Sequence, residues 1–365
     1  MNKFALTKHP QFWPVMALLA LLAVDFVMIP GFFSLQFKNG HLYGGVIDIM
    51  NRAAPLILVA LGMTLVIATR GIDISVGAVV AISGTVSAML VVGTTVMHDG
   101  VAEYVSNLPM WVAIAAALGA AALCGAWNAL LVTGLGLQPI IATLILMVAG
   151  RGVAQLLTDG QIVSVYYKPY FFIGGGYLFG LPFAIYIAIG VFLLLQLLMR
   201  KTALGLFIKA CGINPVAARL AGIKTGQLIF SVYVFCSICA GIAGLMVSSN
   251  IKSADANNAG LMIELDAILA ITLGGTSLAG GHFSLVGSVI GALIIQTLTY
   301  SIYSMGVPPE VNMVVKAVVV FVVCLSQSPE FRKMIAFGSK GKKAQSIEPK
   351  AATPLAQPQS MEVGK

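Results

Sequence analysis

Five ionisable residues lie inside long apolar stretches: Asp25, Arg151, Glu264, Asp266 and Lys316. A charge surrounded by hydrocarbon costs several kcal/mol unless it is paired or hydrated, so each marks either a brace or a wet path. Glu264 and Asp266 are two residues apart and point about 200° apart on a helix, so one pairs or caps while the other faces a cavity. Arg151 and Lys316 are their expected partners. Ion pairs that fix a bundle are the simplest reading; contact with a polar cargo and snorkelling to an interface stay open. Asn51, Asn128, Gln155, Gln296 and Asn312 add amides, each able to donate and accept, which suits a hydroxylated ligand. Asn51, Arg151, Glu264, Asp266 and Lys316 are thus candidates either for a polar path through the bundle or for intramembrane ion pairs.

The elements that hold these groups follow from composition. The chain has 365 residues, 59% hydrophobic and 9% charged, against about 25% charged in a soluble domain. Apolar runs of roughly 20 residues recur, the length that spans a bilayer as a helix. The expected fold is all-α: a polytopic membrane bundle with segments near 14–33, 47–69, 75–97, 111–133, 140–157, 180–199, 227–249, 261–273, 284–305 and 311–327. The eighth of these ten is short and reads as a broken or re-entrant helix. The expected organisation is an N-terminus over 1–13, a membrane domain over 14–328 with a loop at 200–226, and a disordered basic tail over 329–365.

The net charge of +8 does not point to nucleic acid, because the basic residues lie between apolar runs and in the tail. Arg200, Lys201, Lys209, Arg219 and Lys224 fill the 200–226 loop, which contains no acid. Basic loops stay in the cytoplasm, so this loop and both termini are expected there. The first apolar run is long enough to remain as a helix rather than be cleaved. Five cysteines read as small buried hydrophobes. The tyrosines and phenylalanines at 166, 167, 170, 171 and 172 read as an aromatic belt at an interface. Asp255, Asn257 and Asn258 in ADANNAG read as an outer mouth. Two glycine-bracketed breaks, Gly71 and Gly77, then Gly274, Gly275, Gly280 and Gly281, are packing points or hinges of an inner gate, with Asp73 capping the helix near Ser75.

The stretch CGINPVAARLAGI (211–223) carries a complete short helix. Asn214 is a good N-cap, Pro215 suits the first helical position, and Gly222 suits the left-handed end. Ala217 and Ala218 would let a groove close on it, and Arg219 would pair with an acidic partner. No GxxxxGK[ST] pattern is present, so ATP hydrolysis would fall to another chain.

GIDISVG (71–77), CGINPVAARLAGI and ELDAILAITLGGTSLAGG (264–281) resemble permease subunits of bacterial ABC sugar importers of the ribose, xylose, arabinose and galactose type. The segments 51–69, 142–156 and 254–270 look most like permeases for galactofuranose. Arg70 departs from the pattern, since relatives commonly have a small residue there. The resemblance implies a non-enzymatic subunit in the bacterial inner membrane, paired with a second permease copy or paralogue. Its other partners would be a periplasmic sugar-binding protein and a cytoplasmic ATPase that contacts 214–222. No cofactor is expected on this chain, with ATP-Mg on the ATPase. An ion-coupled secondary transporter is the alternative, with Glu264, Asp266 and the short eighth segment as its site. An intramembrane enzyme is not supported: all four histidines (9, 41, 98, 282) lie outside the apolar segments.

Overall fold

The computed structural model describes residues 11–325 apart from 39, 99, 100, 107, 307, 309, 310, 312, 313, 316, 319, 320, 323 and 324. The chain divides into units 1–324 and 325–365, and the second lies almost entirely outside the described residues.

Long apolar runs become helices because a helix satisfies its own peptide groups. In chain order they are α1 (Phe12–Met28), α2 (Gly45–Ala68), α3 (Val76–Val91), α4 (Met110–Thr133), α5 (Pro139–Leu157), the single turn α6 (Phe172–Gly175), and α7 (Phe183–Lys201). Then follow α8 (Leu204–Ile213), α9 (Pro215–Leu220), α10 (Thr225–Ile251), α11 (Ile263–Leu273) and α12 (Leu285–Ser304). Among the described residues, six of these helices are long and apolar enough to cross a membrane. α1, α3 and α8 are apolar but shorter. Several described residues between 311 and 325 are helical, within the tenth expected segment.

Two features depart from the sequence expectation. Short antiparallel strand pairs join helix ends: β1 (Gln36–Lys38) with β2 (His41–Tyr43), and β3 (Thr94–His98) with β4 (Val101–Val105). β5 (Val163–Ser164) pairs with β8 (Ser253–Ala254), and β6 (Tyr177–Leu178) with β7 (Leu181–Pro182). The bundle is therefore mostly helical rather than purely so. The loop at 200–226 also holds a second helix, α8, whose Gly205, Ile208, Cys211 and Gly212 are buried at helical spacing.

The core is centred on α2 and α10, whose apolar windows are 78% and 61% buried, against 22% for α4, α5 and α7. The outer helices present Trp111, Leu123, Val148 and Leu156, each more than two-thirds exposed, a surface that belongs against lipid. Small residues set the crossings. A Cβ on Gly62 would lie 2.9 Å from the Cys236 backbone where α2 meets α10, and one on Gly125 would lie 2.8 Å from Ser237 where α4 meets α10.

The direction of each helix follows from its contacts. Thr64 of α2 bonds Ser288 of α12 at 2.7 Å, while Gly45 lies beside Tyr300. One end of the bundle gathers Gln11, Ala68, α9, Thr225 and Ser284, and it carries Arg200, Lys201, Arg219 and Lys224. We call it the basic end.

The Gly62 contact is testable. Gly62→Leu should destabilise the detergent-solubilised protein by about 1–3 kcal/mol through overpacking, read as a lowered melting midpoint. Leu at Gly119, where an added Cβ meets nothing within 4 Å, should leave it unchanged.

Candidate functional site

At the end opposite the basic one, α2, α7, α10 and α12 enclose a cavity of about 260 Å³. Its polar wall is Asp48, Asn51, Arg52, Asn250 and Gln296, over an apolar floor that includes Met246. Arg52 donates to Asp48 at 2.9 Å one helical turn away, so the two charges cancel. Pro55 lies inside α2 and lines the same wall. Because it has no N–H, it leaves the Asn51 carbonyl without its helical donor. The Asn51 Oδ1 is buried without a protein partner. Asn250 donates to the Gly174 carbonyl at 3.2 Å. The wall is thus neutral overall, rich in amides and short of partners, which suits a small polyhydroxylated guest.

Arg151 on α5 takes a different role from the ion pair expected of it. Its Nη1 donates to the carbonyls of Ala259 (2.6 Å) and Ala256 (3.1 Å). These carbonyls belong to irregular chain that runs back into the bundle after α10, reaching Gly77 of α3 at Gly260. α11 starts from that depth, so the eighth segment is a half-length helix entered through non-helical backbone. Such backbone must find its partners within the protein, and Arg151 supplies two. Glu264, in the first turn of α11, is buried against Gly77. Its Oε2 has no protein partner. Asp266 is half-buried, and Lys316 lies outside the described residues.

Asp255, Asn257 and Asn258, expected as an outer mouth, form the turn that leads into this segment. Asp255 Oδ1 accepts from the N–H groups of Asn258 (3.0 Å) and Asn257 (3.1 Å), and Oδ2 accepts from Asn258 Nδ2 at 2.9 Å. Gln155 donates to Asn257 at 2.7 Å. Partial burial works to raise the Asp255 carboxyl, but the Asn258 and Asn257 donors and the Arg151 charge outweigh it. The pKa is held below the ordinary carboxylate range.

The other expected amides separate. Gln296 joins Asn51 in the cavity, whereas Asn128 is fully buried and donates to Ser75 Oγ at 2.8 Å. Asn312 lies outside the described residues. Asp73 Oδ1 accepts from Ser75 N (3.0 Å) and Oγ (2.6 Å), closing the turn into α3. Asp25 is fully buried beside Ser301. The aromatic cluster divides: Tyr166 is exposed and stacks on Tyr104, while Tyr170 is buried and bonded to Ser87 and Ser248.

At the basic end, α9 has the expected caps. Asn214 Oδ1 accepts from Val216 and Ala217, each at 3.0 Å, Pro215 is the first helical residue, and Gly222 has φ +86°. Arg219 Nε donates to Thr225 Oγ1 at 3.4 Å. The outward face needs one correction. Ala218 is buried, and the exposed positions are Val216, Ala217, Arg219 and Leu220, with Leu220 85% exposed. A six-residue helix held by neighbouring elements turns one side inward, and Ala218 falls on that side.

The glycines of the two breaks are close approaches. Gly71 lies against Tyr233 Oη, Gly77 against Glu264 and Gly260, and Gly274 against Gly287 of α12. Gly275, Gly280 and Gly281 all have positive φ.

Membrane-length helices around a neutral polar cavity, with a rigid capped helix at the far end, define a multi-pass membrane transport protein. Residues 45–324 match the family described as branched-chain amino acid transport system / permease component, and the chain belongs to that family. It is 50% identical over 329 residues to the galactofuranose transporter permease protein YtfT of Escherichia coli, covering 88% of this chain and 92% of that one. It is 37% identical to the fructose import permease protein FruF of Bifidobacterium longum, covering 93% of each chain. With the ribose import permease protein RbsC of Escherichia coli the identity is 36%, over 85% of this chain and 91% of the relative.

Two outcomes follow from this geometry. Arg151→Met should leave the Ala256 and Ala259 carbonyls unpaired at about 1–3 kcal/mol each, seen as a lower melting midpoint. Because the Asp255 pKa is depressed on folding, its contribution is complete above the ordinary carboxylate range and is lost as pH falls through the lowered value. Melting curves should therefore show an acid loss below about pH 4 in the parent, reduced in Asp255→Asn.

Proposed function

We propose that this chain is the membrane-spanning subunit of an ATP-driven sugar importer, with galactofuranose as its cargo. The cargo assignment is supported by the 50% identity, across 88% of the chain, to a galactofuranose permease. The observation that carries the ATP-driven reading is α9. It is capped at both ends and turns Val216 and Leu220 outward among basic residues, as a helix seated in another protein's groove would. No ATP-binding GxxxxGK[ST] pattern occurs in the sequence, so the energy comes from a cytoplasmic ATPase that grips α9.

In this reading the bundle has ten membrane segments, α11 being the short one, and lies in the bacterial inner membrane. The basic end and both termini are cytoplasmic. The cavity at Asn51 and Gln296 opens to the periplasm, where a sugar-binding protein delivers its load. A second permease copy completes the pore. Sugar is held there only weakly, by amides rather than by charges. Gly71, Gly77, Gly274, Gly275, Gly280 and Gly281 border the inner gate, and Glu264 braces the half-helix against Gly77.

Glu264 also favours a second reading, an ion-coupled carrier, because it is a buried acid at the start of a half-helix. Proteoliposomes holding this chain, its ATPase and its binding protein separate the two. They would be given labelled galactofuranose, ribose, fructose or leucine, with and without internal ATP. The expected result is ATP-dependent uptake of galactofuranose in preference to the rest. Uptake by this chain alone that collapses with an ion gradient would install the carrier reading. Asn51→Leu and Gln296→Leu should raise KM for sugar with little change in ATP hydrolysis. Arg219→Glu should cut uptake at least about tenfold, the scale of one charge-assisted contact, with membrane insertion unchanged.

A further inference from the structure

Arg70 ends α2 in a conformation that arginine seldom adopts. Its φ is +66°, and its N–H donates to Ile67 while that of Gly71 donates to Val66, the closing pattern of a helix end where glycine is favoured. An L-residue there is strained where glycine would not be. A long side chain kept at such a place has a use elsewhere.

The guanidinium reaches across 142 residues of sequence. Nε donates to the Gly212 carbonyl at 2.6 Å and Nη2 to the Ile213 carbonyl at 2.5 Å. These are the last carbonyls of α8, left without helical donors because Asn214 turns extended (φ −153°, ψ 100°). A cation there also opposes the negative end of the helix dipole. Asn214 is the N-cap of α9, so Arg70 holds the joint from which α9 starts.

The second glycine break closes over the same joint. Gly281 N–H donates to the Ala68 carbonyl at 3.0 Å, and a Cβ on Gly280 would lie 2.6 Å from Arg70 Cγ. A Cβ on Gly212 would collide with both Ala68 O and Gly281 N. The backbones at 68, 212–213 and 280–281 thus pack directly on one another, and the exposed Arg70 side chain lies along their edge, bonded to the 212–213 carbonyls and against Gly280.

We propose that Arg70 is the positioning residue that transmits displacement of α9 to both glycine breaks, so that engagement of the ATPase and opening of the inner gate occur together. This rests on the importer reading above. Two hydrogen bonds from one cation to the α8–α9 joint make α9 and the end of α2 move as a unit, and α2 leads directly into the 71–75 break. The 274–284 break follows because Gly280 packs on the arginine stem and Gly281 is bonded to the Ala68 carbonyl.

The test uses the complete importer in proteoliposomes and three variants, Arg70→Gly, Arg70→Gln and Arg70→Lys. ATP hydrolysis, sugar uptake and the melting midpoint are measured for each. Glycine relieves the left-handed backbone, so Arg70→Gly should melt no lower than the parent. It should still hydrolyse ATP while sugar moved per ATP falls at least about tenfold, the low end for the loss of even one charge-assisted bond. Arg70→Gln should behave alike, and Arg70→Lys should recover part of the coupling. An unchanged sugar-to-ATP ratio in Arg70→Gly and Arg70→Gln would overturn the proposal. A fall in melting midpoint with hydrolysis and uptake lost in parallel would also overturn it, leaving Arg70 a structural staple only. Failure of the importer reading is distinguishable, because the parent itself would then show no ATP-dependent uptake.

Discussion

A peptide group in hydrocarbon has no water to bond, so every place where this chain stops being helical inside the bundle must be satisfied by protein. Much of the polar chemistry of the molecule answers that constraint. Among the described residues three such breaks occur, at 69–75, 252–262 and 274–284. Asp73 closes the first through Ser75, Arg151 and Asp255 close the second, and the Ala68 carbonyl with Thr276 closes the third. Arg151, a charge that looks expensive when the chain is read as a string of apolar segments, is therefore placed where backbone carbonyls would otherwise be stranded.

The same constraint links the two ends of the molecule. α11 begins at depth beside Gly77 because Arg151 and Asp255 make irregular backbone tolerable there. α11 then delivers Gly274 against Gly287 of α12 and leads into Gly280, which packs on Arg70, and Gly281, which packs on Gly212 and Ile213. The two glycine breaks, far apart in sequence, meet at one joint beneath α9. The cavity lies on helices α2, α10 and α12, which run from that joint to the opposite face. A path from the capped helix to the cavity thus runs through packed backbone rather than through mobile loops.

Local chemistry was legible in the sequence and distant acceptors were not. Asn214, Pro215 and Gly222 act on their own neighbours, so the short helix could be read with its caps. Segment positions followed from hydrophobic length, and the half-length of the eighth segment was visible in the same way. Arg151 stood out as a buried cation, but its partners are the carbonyls of Ala256 and Ala259, and a carbonyl has no signature in a residue string. Arg70 stood out only as a departure from the pattern of similar permeases, since its acceptors are 142 and 143 residues away. α8 was missed because its buried stripe at Gly205, Ile208, Cys211 and Gly212 is half glycine. Of the intramembrane amides, Asn51 and Gln296 converge through the antiparallel packing of α2 and α12, a relation that sequence separation hides.

Peptide-resolved hydrogen–deuterium exchange on the reconstituted importer tests the central claim most directly. If the breaks are satisfied by protein and joined at Arg70, amides of 71–75, 255–262 and 276–284 should be protected like the helices at rest. On ATP binding, 71–75 and 276–284 should then gain exchange together while 255–262 stays closed. Breaks that exchange at rest as fast as the exposed loops, or a first and third break that open independently, would contradict the account.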